Sequence, residues 1–109
     1  MAEYTLDAEY DSEESGEIFQ KIIDAAPGRI EDSNDPSVYR ENNKRRASWA
    51  AKGLQAYGAV VASGAESEVA GTLIKDFLND LRHLCDLIGL DWDEAAESTH
   101  YDEEVEGNL

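Results

Sequence analysis

The chain has 109 residues, with 25 acids against nine bases, a formal net charge of −16 and one cysteine, Cys85. That length allows one domain with a modest core and excludes a catalytic domain joined to a second module; one cysteine excludes an internal disulfide and fits a reducing cytoplasm. A field of this sign repels phosphates from most of the surface, which argues against direct nucleic-acid binding and for a protein partner with a basic surface.

Residues 1–14 form an acidic arm in which Tyr4, Leu6, Ala8 and Tyr10 alternate with polar residues. The strand pattern is weak and the composition is that of a flexible tail. This segment has neither the basic start nor the apolar middle of a signal peptide, and no apolar run approaches the roughly 20 residues of a membrane span, so a cytoplasmic protein without membrane contact is expected. A helix is predicted from Ser15 to Ala26, with Ile18, Phe19, Ile22, Ile23 and Ala26 on one face, stopped by Pro27 and Gly28. Asp35-Pro36 places a capping acid before a proline at the first helical position, so a second helix is predicted from Pro36 to about Ala62. Its first half is polar. Its second half carries Ala47, Ala50, Leu54, Tyr57 and Val61 on one face and Trp49, Gly53, Ala56 and Val60 on another, with small residues that let a neighbouring helix approach closely.

After a turn at Ser63-Gly64, the stretch from Glu66 to Leu90 predicts the organising helix. Ala70, Ile74, Phe77, Leu81, Leu84 and Ile88 form its apolar seam at steps of four and three, flanked by Leu73, Leu78, Cys85 and Leu87. Gly89 is its left-handed cap, and Asp91 with Glu94 opens a last helix running to about Asp102, with Trp92, Ala95, Ala96 and Thr99 inward. The expected fold is all-α: a four-helix domain over residues 15–102, built on a long antiparallel hairpin of the second and third helices, between flexible acidic termini at 1–14 and 103–109. Leu73, Leu78, Leu87, Trp49 and Val60 lie off the main seam, which implies a homodimer or a partner interface over the second and third helices.

Chemistry-bearing patterns are few. Asp76, Asn79, Asp80 and His83 share a helical face at the spacing a divalent ion could use, yet an amphipathic helix carries such a solvated face by default. Cys85 points nearly half a turn from His83, which argues against a zinc set with His100 and Asp76. No metal and no cofactor are expected. Lys44-Arg45-Arg46-Ala47-Ser48 matches a basic pattern read by some protein kinases but lies within a packed helix. There is no glycine-rich phosphate loop and no Ser/His/Asp set in recognisable context.

The run Asp76-Phe77-Leu78-Asn79-Asp80-Leu81-Arg82-His83-Leu84-Cys85-Asp86-Leu87-Ile88-Gly89-Leu90-Asp91-Trp92-Asp93-Glu94-Ala95, with His100-Tyr101 and Glu103-Glu104 after it, resembles the C-terminal half of small uncharacterised proteins carried by phages and other mobile elements. The same block is similar to the third and fourth helices of the MazG-like all-α nucleotide pyrophosphohydrolases. In that family two adjacent glutamates precede an aspartate and, with a glutamate pair upstream, bind magnesium. Asp76 stands at the aspartate, Thr72 and Leu73 stand at the glutamates, and the second helix offers only Glu41 upstream.

The charge is unevenly spread. Seven acids and no base fall in the first 17 residues, nine acids and no base from Asp86 onward, and no acid between Asn42 and Ala65. With the phage resemblance, this points to a non-enzymatic acidic binding protein, an inhibitor of a host defence complex of the anti-CRISPR kind that occupies a cationic surface. The expected contacts are Asp76, Asp80, Asp86, Asp93, Glu94 and Glu97, which sit on rigid helices. In the alternative, Arg40, Lys44, Arg45 and Arg46 meet an acidic partner. Two further classes are a divergent MazG-like nucleoside triphosphate pyrophosphohydrolase and a small accessory protein acting through a helical homodimer.

Overall fold

The computed structural model describes residues 14–33, 35–61, 68–97 and 99–105. Among the described residues five helices follow one another: α1 (Ser15–Ala25), α2 (Pro36–Val61), α3 (Ala70–Ile88), α4 (Trp92–Glu97) and α5 (Tyr101–Val105). The class is all-α, with no strand among the described residues and one isolated bridge between Glu14 and Val69. The expected arm, Glu14 apart, and the Ser63-Gly64 turn lie outside the described residues.

Local chemistry sets most of the boundaries. The Asp35 carboxylate accepts the Ser37 backbone N–H at 2.9 Å and the Ser37 hydroxyl at 2.8 Å, and Pro36 fits the first helical position because its missing N–H would have had no partner there. These bonds, the backbone one first, hold the Asp35 carboxyl below its ordinary value. At the end of α3, Gly89 adopts φ +77° and the Leu90 N–H reaches back to the Cys85 carbonyl at 2.9 Å, closing the last turn. Asp91 then caps α4 by accepting the Glu94 N–H at 2.9 Å.

Ile18 and Phe19 of α1, Ala51 and Leu54 of α2 and Ala70 and Leu73 of α3 are buried together, with Ile22, Ile23, Tyr57 and Phe77 packed around them. The helix that lies along α2 is α1, in the opposite sense: Gln20 meets Gln55, whereas Gly28 sits beside Arg45. The small residues of α2 serve this contact, since Ala51 and Gly58 are buried and Gly58 faces Ser15, Gly16 and Phe19 across a shallow apolar recess. The start of α1 is also tied to the start of α3, where the Ser15 N–H donates to the Glu68 carbonyl at 2.6 Å.

The pairing of α2 with α3, expected to organise the fold, is narrower than that of α2 with α1. It runs through Tyr57, whose ring meets Phe77 edge-on at 5.0 Å and whose hydroxyl donates to Asp80 at 2.5 Å. The inward row on α3 also differs from the expected seam. Leu73 and Cys85, placed on its flanks, are buried; Phe77 and Leu81 are half-buried between them; Ile74, Leu84 and Ile88, placed in the seam, are exposed. Successive four-residue steps advance about 40° past a full turn, so this row winds around α3. Such a row belongs to a helix that crosses its neighbours at an angle. The distal half of α3 therefore extends beyond the core.

The helix predicted over Trp92–Asp102 is two short ones. After α4 the chain turns through Thr99 and His100, and α5 returns to the middle of α2. The tail expected from 103 thus begins inside a helix, and Glu104 is anchored by the side chains of Asn43 and Arg46. Of the five apolar residues expected off the seam, Leu73 belongs to the core, while Leu78, Leu87, Trp49 and Val60 are exposed.

Candidate partner-binding surface

Two arginines in the basic half of α2 are tied to other parts of the chain. Asn42 and Asn43 are buried on a helix whose neighbouring turns are polar, and each amide uses both its oxygen and its nitrogen. The Asn42 Oδ1 accepts the Glu31 N–H at 2.9 Å while its Nδ2 donates to the Glu31 carbonyl at 2.8 Å, clamping the loop that precedes α2. The same Oδ1 accepts Arg45 Nη1 at 2.9 Å, and Arg45 Nη2 lies 3.7 Å from the Glu31 carboxylate. One residue on, the pattern repeats toward α5: Asn43 Nδ2 donates to the Glu104 carbonyl at 3.0 Å, Arg46 Nη1 donates to Asn43 Oδ1 at 2.8 Å, and Arg46 Nε pairs with the Glu104 carboxylate at 2.5 Å. Lys44 pairs with Glu41 at 3.2 Å on the surface, and Arg40 is half-buried. Most of the expected alternative contact set is therefore engaged within the chain. Between this loop, α2 and α5 lies a cleft of about 360 Å³ lined by Tyr39, Asn42 and Arg46 and by the acids Glu31, Asp32, Glu103 and Glu104.

The six acids of the first contact set are all exposed on α3 and α4. They do not form one cluster. Asp76 and Asp80, one turn apart, lie on the side of α3 that faces Tyr57; Asp86 lies about 120° around the helix from Asp80; Asp93, Glu94 and Glu97 follow the Gly89 turn on α4. Asp80 accepts the Tyr57 hydroxyl and, at 3.3 Å, the Asn79 amide. The Tyr57 bond first, then Asn79 and the nearby His83, hold the Asp80 carboxyl below its ordinary range. In turn the Tyr57 phenol is pushed up to about 12, chiefly by that bond, with burial and the charges of Asp80, Asp76 and Glu68 adding to it.

Among the described residues no group of three or more His, Cys, Asp or Glu side chains lies close enough to hold a metal ion. Glu41, the upstream carboxylate in the pyrophosphohydrolase resemblance, is 16 residues before Tyr57 on α2, a rise of about 24 Å from the place where α2 meets Asp80. The carboxylates of the two helices do not converge there. Cys85 is a buried free thiol, and His83 and His100 are exposed.

A feature of the same region is apolar. Leu84, Leu87 and Ile88 on the last two turns of α3, with Leu90 just past them, expose 50, 85, 65 and 45% of their surface. Leu84 and Leu87 continue the side of α3 that carries Asp80, four and seven residues on. Helical periodicity alone placed Leu84 and Ile88 inside. The signal that would have found them is the drift of Leu73, Phe77, Leu81 and Cys85, which becomes visible once the direction of crossing is known.

No family model matches the chain, and neither a curated protein nor a solved structure does.

Proposed function

We propose that the protein is a non-enzymatic binding protein that occupies a cationic surface of a partner protein with the exposed acids of α3 and α4. The observation that carries this reading is the engagement of Arg45 and Arg46 within the chain. Arg45 and Arg46 hold the Glu31 loop and α5, while Asp76, Asp86, Asp93, Glu94 and Glu97, with Asp80 beside them bonded to Tyr57 and Asn79, are exposed on helices already ordered before binding. An excess of −16 on so small a chain steers it toward positive grooves and away from nucleic acid. The resemblance to small phage proteins supplies the partner class: a nucleic-acid-binding groove of a host defence complex, in which helix-borne carboxylates take the place of phosphates. No membrane is involved in this reading, and no helix among the described residues is long and apolar enough to cross one.

The test is protection. In a host carrying a nucleic-acid-guided defence system, expression of the chain should restore plaque formation by a targeted phage. Reversal of all six acids to lysine should abolish that protection, and single reversals should slow association modestly. Protection by the six-fold variant equal to that of the parent chain would overturn the proposal. In vitro, raising salt from about 0.05 to 0.5 M shortens the screening length from roughly 14 to 4 Å and should weaken the complex steeply.

A further inference from the structure

The exposed apolar end of α3 has a shape and a charge setting that define what fits on it. Leu84, Leu87 and Ile88 form a convex ridge just over one turn long, extended by Leu90 beyond the Gly89 turn. Acids bound it along the axis. Asp76 and Asp80 precede Leu84 on its side of the helix, and Asp91, Asp93 and Glu94 follow Leu90. Asp80 stands one turn before Leu84 on α3, and Asp91 directly follows Leu90 beyond the Gly89 turn that ends the helix. An apolar centre with carboxylates at both ends is complementary to an amphipathic helix with an apolar stripe of the same length and a basic residue at either end.

A second copy of the chain does not meet this requirement. Pairing of two such ridges, antiparallel or parallel, brings the acids that border one copy up to the acids that border the other. Like charges face one another in both orientations, on a chain that already carries −16.

We infer that Leu84, Leu87, Ile88 and Leu90 form the docking seat for a basic amphipathic helix of the partner protein, with Leu or Ile at i, i+3, i+4 and i+7 and Lys or Arg flanking that stripe at both ends. The inference rests on the reading of a cationic partner and specifies the element by which that partner binds. Ridge-to-groove packing of two helices supplies the shape match, and the flanking acids set the register.

The experiment uses the full chain and two labelled peptides of identical composition followed by fluorescence anisotropy. One carries the apolar stripe between flanking lysines; the other is scrambled so that no stripe forms. The striped peptide should bind at least about tenfold more tightly. The triple variant Leu84→Ser, Leu87→Ser and Ile88→Ser removes exposed side chains, so its circular dichroism should stay that of the parent, and its affinity for the striped peptide should fall to that for the scrambled one. Equal affinity for the two peptides overturns the inference while leaving the cationic-partner reading intact, since charge alone would then account for binding. An unaffected triple variant, or no binding of either peptide, overturns it as well. Sedimentation that shows a dimer returned to monomer by Leu87→Ser gives the seat to a second copy and likewise overturns it.

Discussion

Replacement of Asn42 by alanine tests whether the basic half of α2 is internal structure. Asn42 is 4% exposed and makes three hydrogen bonds: two to the backbone of Glu31 and one from Arg45. Alanine removes all three and provides no substitute for the Glu31 N–H and carbonyl. A group left dry and unpaired costs about 1–3 kcal/mol, and one that water can reach costs less. The Glu31 side of the clamp is only partly buried, so the expected loss is about 2–4 kcal/mol, a large share of the 5–15 kcal/mol typical of a domain. With a urea slope of about 2 kcal/mol per molar, the unfolding midpoint should fall by about 1–2 M at unchanged slope. Asn42→Asp keeps the acceptor for the Glu31 N–H and Arg45 but turns a second oxygen toward the Glu31 carbonyl, so it should fall between parent and alanine. In native buffer, protection by Asn42→Ala should match that of the parent, because the acids of α3 and α4 are untouched. A midpoint shift below about 0.3 M would refute the clamp. Lost protection with an unchanged midpoint would return Asn42 and its arginines to the partner interface.

Other expectations follow from single sites. Gly89→Ala forces a Cβ into the left-handed region at φ +77°, which should cost about 1 kcal/mol and lower Tm by about 4–8 °C in a calorimetric scan; an unchanged Tm would contradict the cap. The raised Tyr57 pKa means that its contribution to stability is complete below the ordinary tyrosine value of 10.0 and is lost as pH rises toward about 12. The depressed Asp80 pKa acts in the other sense, present above the ordinary 3.8 and lost as pH falls through the lower folded value. Subtracting the alkaline absorbance titration of Tyr57→Phe from that of the parent should isolate one ionisation near 12; a difference curve centred near 10.0 would deny the Asp80 bond. Calorimetric titration with magnesium, manganese and zinc should show no binding tighter than roughly millimolar, and a micromolar site abolished by Asp76→Ala would revive the pyrophosphohydrolase reading.

The features legible in the sequence are those set within a few residues. The end of α1 at Pro27, the Asp35 cap, the Gly89 turn and the Asp91 cap each depend on neighbours along the chain, and each is found where the residues place it. What periodicity could not supply is how one helix crosses another. A seam at steps of four and three describes helices lying nearly side by side, whereas α3 is buried along a four-residue row and so sheds Leu84 and Ile88 to solvent. The break between α4 and α5 was hidden because the stretch from Trp92 to Asp102 is helix-compatible in its local preferences; the pull of Asn43 on Glu104 comes from 61 residues away, and Arg46 adds to it from α2. Counting charge could not tell an inward arginine from an outward one. A signal did exist, since Asn42 and Asn43 are poor helix formers in mid-helix and stand three residues before Arg45 and Arg46.

The exposed end of α3 also bears on how strongly any partner could be held. Fully burying a Leu or Ile contributes about 1.5–3 kcal/mol, so burying what Leu84, Leu87, Ile88 and Leu90 now expose contributes roughly 4–7 kcal/mol in total. Association itself costs an estimated 4–15 kcal/mol, so this ridge alone gives at best marginal binding. The acids alone are in a similar position, because exposed charge pairs contribute mostly below 1 kcal/mol each and are screened by salt. Neither feature suffices by itself, and their adjacency matters for that reason: a partner helix seated on the ridge excludes water beside Asp80 and Asp91, where each charge contact gains strength. A complex built this way weakens with salt but keeps a residue of affinity at high salt, and it loses that residue when the ridge is made polar. A complex held by the acids alone would fall to zero with salt in both chains.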